Sequence, residues 1–451
     1  MVLRKLFGRL TREEDVAPLT PLNLVATPTT PPSADAAATR VAQRQAAEEM
    51  LHREELLDAR NRLCGYRFRP AGGIPDGQTE ERFLAALADI DLPSFAQRRL
   101  ALIPITPAAV SAGAHLPLVG RRAHFLIDLD QGKAPLDQCL AALQAITAAG
   151  AQAAVTGLSL APELAPLLAA AKIAMLDLND CELSHFQRLA RNLKNGAPHL
   201  ELAADNVPSW PERRMCGAWG IDYCLGPFTT EADSEEPEGK LDESRLVLME
   251  MLNLIRDEAD LADLGAVAKK DPDIALQVLS LANSPAAGLA SPVSSLEQAI
   301  LVLGRQHLYR WLTVAMFRVG KTRDRDEALL EVALTRARFL ETVADGSLGK
   351  KDCDELFLVG LLSLFDVLLS MPLAKVLEPM HLAPPVKEVL LHSQGPYARY
   401  LQLALAVERG RATQAADLAE ALGIAPDSLG AANLMALAWA EEALGISSSD
   451  L

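Results

Sequence analysis

The chain has 451 residues, half of them apolar, 23% charged and 4% aromatic, with a formal net charge of −16 at pH 7. That length exceeds one ordinary core and predicts two folded domains with connecting segments. So acidic a chain offers no concentrated basic surface for a nucleic-acid backbone, which argues against nucleic-acid binding, and cores this poor in aromatics must be built from Leu, Ala and Val.

At the start, Leu3, Leu6, Phe7 and Leu10 recur at helical spacing with Arg4, Lys5, Arg9 and Arg12 between them. This is the pattern of a short basic amphipathic helix on an anionic membrane, although ten residues bury little area, and a frayed tail is the favoured reading. Residues 16–40 hold five prolines and no helical or strand period, so 1–41 is expected to be a disordered tail. No apolar run reaches the roughly 18 residues needed to span a bilayer. The start lacks a signal peptide's apolar segment. The six cysteines lack the spacing of a zinc site or a disulfide framework and read as reduced core residues. A cytoplasmic location is the expectation.

From 42 to 230 short apolar stretches alternate with helical patterns. "HFLIDLD" (124–130), "AQAAVTG" (151–157) and "KIAMLDL" (172–178) read as buried strands, and 134–150 and 184–194 as helices. Strands and helices in alternation indicate βα units in a parallel sheet or barrel. About 190 residues is short of the ~250 typical of eight such units, which leaves an incomplete barrel open. Residues 231–245 then carry seven acidic side chains in fifteen, and are expected to be a linker that buries nothing.

Beyond it, 246–445 reads as helix upon helix. Asp271-Pro272-Asp273 is a strong helix start, with Asp271 as cap and Pro272 at the first helical position. "SSLEQAILVLG" opens with a capping box, Ser294 to Glu297 or Ser295 to Gln298, and stops at Gly304. Further helices are predicted over 326–344, 353–371, 385–393 and 397–409, with two more in "TQAADLAEALG" and "AANLMALAWAEEAL".

The run from Asp271 to Leu312 resembles the HDOD signature. It carries Asp271-Pro272, then Ala282-Asn283-Ser284, Val293 with Ser295, Gln298-Ala299-Ile300, and Leu303-Gly304. The resemblance implies an all-helical relative of HD-type phosphohydrolases without their metal site. None of the eight histidines precedes an Asp, and the corresponding turn reads "GLLSLFDVLL", leaving Asp366 as a single carboxylate. The signature residues Asp271, Pro272, Asn283, Ser284, Gln298, Leu303 and Gly304 are read as mainly structural, with Asn283 bonding backbone after its helix.

The first folded half resembles a degenerate EAL domain, the barrel that hydrolyses cyclic di-GMP in active members. "LLDARNRLCGYRFRP" keeps Leu57, Asp58, Gly65 and Tyr66 but puts Arg67 at the place of the namesake Glu. "AADNVPSWPERRMCGAWGIDYCLGPF" keeps Ala204, Val207, Gly220, Asp222, Tyr223 and Gly226. There Asp205 and Pro208 stand in glutamate positions and Leu225 in that of a Gln. The K-x-D strand keeps Asp177 but has Met175 for the Lys, and Asp128 and Asp130 stand at the acidic strand end. The fold class expected is thus a degenerate α/β barrel of TIM type followed by an all-α HDOD domain.

Such a barrel hydrolyses through two metals held by carboxylates, and a fixed positive charge at Arg67 opposes that. No catalytic residue, metal or cofactor is therefore expected. Arg67 and Arg69 are the candidate phosphate contacts, against a reading as solvated or ion-paired arginines. Asp58 reads as a turn residue. The favoured function is a non-catalytic regulatory scaffold in bacterial signalling, acting on protein partners. A cyclic di-GMP or nucleotide receptor is the alternative, and an active phosphodiesterase the third reading.

Overall fold

The computed structural model describes residues 51–70, 77–89, 91–130, 134–159, 161–179, 182–284, 292–319 and 323–444. The amphipathic pattern at 3–10, the tail 1–41 and Cys181 lie outside them. The five described cysteines are free thiols, four of them buried.

Eight strands close a barrel in sequence order. They are β1 (Leu51–Asp58), β2 (Leu63–Pro70), β3 (Leu100–Pro104), β4 (Ala123–Asp128), β5 (Gln152–Thr156), β6 (Ile173–Asp177), β7 (Glu201–Asp205) and β8 (Tyr223–Cys224). β1 runs antiparallel to both its neighbours, and every other pair is parallel. The barrel is therefore complete, which corrects the expectation drawn from its length. It closes in so few residues because its connections are short: helices Leu92–Phe95, Pro107–Ser111 and Ala165–Ala170 have four, five and six residues, and β8 has two.

The period of two in each strand divides the side chains. Leu56, Leu102, Leu126, Ala154, Met175, Ala203 and Leu225 fill the interior. Tyr66, Ile103, Phe125, Val155, Leu176 and Leu202 point out beneath the helices. Arg67 follows the interior set, so its guanidinium faces the barrel axis.

The remaining described chain is helical from Glu243–Arg256 to Leu429–Ala443. Helix Asp326–Ala344 forms as the sequence predicts and is buried nearly all round. It crosses Lys350–Leu362 so closely that a Cβ at Gly360 would lie 2.4 Å from Cα of Ala337. The predicted helix 353–371 is in fact two, Lys350–Leu362 and Phe365–Leu369. The hydroxyl of Ser363 turns back to donate to the Gly360 carbonyl, 2.7 Å, which competes with continuing the helix.

The two halves are packed together. The β1–β2 hairpin supplies no crossover helix, and helix Asp326–Ala344 lies along that flank instead. Arg99 pairs with Glu327 and Arg53 with Glu331, while Ala328 and Leu434 join the barrel's outer core. The acidic segment 231–245 also departs from expectation. Asp233 is half-buried against Arg214 and beside Arg325, and Glu236 accepts from Arg323, Arg325 and Ser370. Opposite charges let this segment bury what it could not bury alone. Its last residues begin helix Glu243–Arg256, in which Arg245 is buried.

Candidate functional site

In a barrel of this kind the reactive groups sit where the parallel strands end. Those ends bring together Arg67 and Arg69 on β2, Asp128 at the end of β4, Asp177 on β6 and Asp205 on β7. Because β1 runs the other way, its first residues, His52 to Glu54, join the same mouth. Asp58 lies at the opposite end, where it accepts from the backbone of Arg60 and Arg62 and the side chain of Arg62. Asp222 is remote as well, accepting from Lys194 and the Leu202 amide.

Arg67 is the centre of the mouth and is 3% exposed. One edge of its guanidinium forks onto both carboxylate oxygens of Asp205, with Nη2 2.7 Å from Oδ1. Its Nε donates to Glu54 Oε2 at 2.6 Å, and Nη1 lies 3.5 Å from the sulfur of Met175. Arg69, more exposed, donates to the other oxygen of Glu54 at 2.6 Å. Burial alone would push the Glu54 carboxyl up. The His52 hydrogen bond and the charges of Arg67 and Arg69 overturn that and hold it down to about 2.

The network continues through Asp205. Its Oδ1 also accepts from the Asn206 amide at 2.7 Å, and the Asn206 side chain donates to Asp177 at 2.8 Å. Asp177 accepts further from the Asn179 amide. Asp128 accepts from the amide of Asp130. Leu225 is fully buried inside the barrel.

The divalent metals implied by the EAL resemblance do not fit these residues. Glu54 and Asp205 are already neutralised by a guanidinium that cannot lose its proton. Asp177 is taken by Asn206 and a backbone amide. Among the described residues, no group of three or more His, Cys, Asp or Glu is placed to hold a metal ion. The mouth can hold a fixed internal ion pair.

Sequence reasoning placed Arg67 and Asp205 at site positions but missed Glu54. The signal was available in the hairpin: a turn centred near Asn61 sets Glu54 directly across from Arg67.

In the helical half, Asp271 caps helix Pro272–Ala282 by accepting from the amides of Asp273 and Ile274, 2.9 and 3.2 Å. Asn283 makes two bonds to the backbone of Val293, through Nδ2 and Oδ1 at 2.9 and 2.7 Å. Ser295, not Ser294, caps helix Leu296–Leu303 through the Gln298 amide, and Gly304 ends it at φ 73°. Ser284 donates its amide to Leu281, while Gln298 is exposed and Leu303 half-buried. Near the turn that resembles the phosphohydrolase site, Arg336 donates to Ser363 at 2.7 Å and forks onto Glu408.

The barrel mouth and this helical turn face each other. A cleft of about 450 Å³ lies between them, lined from the barrel by His52, Glu54 and Arg69 and from the helices by Thr335, Arg336 and Glu408.

Comparison with known proteins agrees with this division. The HDOD domain family matches residues 244–375. The chain is 21% identical over 288 residues to the cyclic di-GMP phosphodiesterase CdgJ of Vibrio cholerae serotype O1, covering 64% of this chain and 66% of that protein. It is 25% identical over 162 residues to the uncharacterized protein YuxH of Bacillus subtilis, covering 35% of this chain and 39% of that one. The chain thus spans less than two thirds of the length of either relative. Among solved structures it is similar to an EAL domain protein from Listeria monocytogenes EGD-e, at 15% identity and TM-score 0.33, covering 44% of this chain and 93% of that one. The FimX EAL domain from Pseudomonas aeruginosa, solved bound to c-di-GMP, also gives 15% and 0.33, with 42% and 95% covered.

The chain is thus a closed eight-stranded α/β barrel followed by a helical half whose residues 244–375 match the HDOD domain family. Among the described residues no helix is long and apolar enough to cross a membrane.

Proposed function

We propose that the chain is a non-catalytic regulatory protein of cyclic di-GMP signalling that acts through contacts with other proteins. The observation that carries this reading is the buried ion pair of Arg67 with Asp205 and Glu54. At the place where the resemblance puts a metal-binding glutamate, the chain supplies its own permanent cation. A divalent ion brought there would meet a like charge, and the carboxylates could serve it only by abandoning the guanidinium. Two relatives point to the same signalling sphere by name, one as a cyclic di-GMP phosphodiesterase and one as an EAL domain bound to that nucleotide.

The test is incubation of the full chain with cyclic di-GMP and Mg²⁺ or Mn²⁺, followed by separation of nucleotides. No linear dinucleotide should accumulate above a protein-free control. Sustained product formation would overturn the reading. A receptor that binds without cleaving is the second reading, favoured by the cleft beside the ion pair.

A further inference from the structure

The cleft between the domains has an uneven distribution of charge. On its barrel side, Glu54 is neutralised by Arg67 and Arg69. Also on the barrel side Glu55 lies by Arg53, and on the helical side Glu408 is held by the Nε–Nη2 edge of Arg336. Three of the acidic groups lining the cleft are therefore already answered. Arg409 and Arg411 also line it, both exposed, and neither has a carboxylate partner among the described residues. Arg411 reaches only the side-chain oxygen of Gln414, at 3.4 Å. The amide of Asn433 makes no bond among the described residues either, and Glu231 is the lining carboxylate left without a cation.

Gly410 sets the backbone that carries these two arginines. This residue sits at φ 63°, and a Cβ on it would come within 3.1 Å of the His52 ring at the start of β1. The loop Arg409-Gly410-Arg411 is thus pressed against the barrel mouth, presenting two guanidinium groups where the domains meet. Its volume of about 450 Å³ lies inside the range of roughly 300–1,000 Å³ usual for small-molecule sites. It has room for more than an inorganic anion.

We propose that this cleft binds a phosphorylated small molecule of nucleotide size, its phosphate held by Arg409 and Arg411 and its remainder lying against the barrel mouth. Arginine suits this role because its planar fork matches phosphate oxygens bidentately. A ligand so placed touches both domains and ties their docking to its own binding. The proposal rests on the cleft and holds whether or not the barrel hydrolyses anything. Turnover of cyclic di-GMP would therefore sink the functional reading above without touching this one.

The test is calorimetric titration of the full chain, in low salt and without metal, with pyrophosphate, GTP and cyclic di-GMP. The same titrations follow on Arg409→Gln/Arg411→Gln. These side chains are exposed, and the variant's melting temperature, expected to match the parent's, checks that it folds. At least one nucleotide should bind at one per chain, at least tenfold tighter than pyrophosphate, and the double variant should weaken it at least tenfold. Three results would each overturn the proposal: no binding by any probe, pyrophosphate binding as tightly as the nucleotides, or equal nucleotide affinity in a folded double variant.

Discussion

Two buried ionisable groups carry the chemistry at the residue scale. Arg67 is buried against two carboxylates, so its removal leaves the buried Asp205 without a cation and facing Glu54, which keeps only Arg69. Arg67→Met should therefore cost about 3–5 kcal/mol of stability in urea unfolding. A cost below about 1 kcal/mol would mean that the pair is solvated and that the mouth is open. Glu331 is the second. It is 1% exposed at the domain seam, and burial pushes its carboxyl up to about 8, with Arg53 pulling down and Glu441 and Glu55 pushing further up. A carboxyl raised above its ordinary 4.5 contributes stability in full below that value and loses it as pH rises through about 8. Glu331→Gln keeps an acceptor for Arg53 at 3.2 Å and removes the charge. It should match the parent at pH 4.5 and exceed it by about 2 kcal/mol or more at pH 8. Parallel stability–pH curves for the two proteins would contradict this.

Packing distance decides the outcome at the element scale. Gly360 lets helix Lys350–Leu362 lie against Asp326–Ala344, since a Cβ there would strike Ala337 backbone. Gly360→Ala should lower stability by about 1–3 kcal/mol in thermal or urea melts, although alanine is the better helix former. A gain in stability would show that the helices can separate without loss. The same scale shows what could be read from the chain beforehand. Helix Asp326–Ala344 was legible because its apolar residues and its acidic first turn agree. The strands at 124–130, 151–157 and 172–178 were legible as buried apolar runs. The break between Lys350–Leu362 and Phe365–Leu369 was not, because it depends on one hydroxyl finding a carbonyl three residues back. Closure of the barrel was not legible either, since nothing local reveals how short a connecting helix can be. Glu54 escaped notice because its importance comes from a partner on another strand, whereas Arg67 announced itself by occupying a position where a carboxylate was expected.

The whole molecule is organised by its seam. The β1–β2 hairpin leaves one flank of the barrel uncovered, and the helical half covers it with helices Asp326–Ala344 and Leu429–Ala443. The acidic segment adds a second fastening, with Asp233 and Glu236 gripped by Arg214, Arg323 and Arg325, and Arg325 lying 4.4 Å over the ring of Trp210. Domains joined this way share core contacts and should melt together. Scanning calorimetry is expected to give one transition for the full chain, and two separated transitions would show that the seam is weak. The same seam places the barrel mouth opposite the helical turn that resembles the phosphohydrolase site. Each of these two positions is occupied by an arginine bound to carboxylate, Arg67 in one and Arg336 in the other. The central claim is that the chain has replaced a metal at the mouth with its own cation. The most direct measurement is Mn²⁺ binding to the full chain, followed by electron paramagnetic resonance of the free ion. The account predicts no bound Mn²⁺ at sub-millimolar concentration. Stoichiometric binding abolished by Asp205→Asn would contradict it.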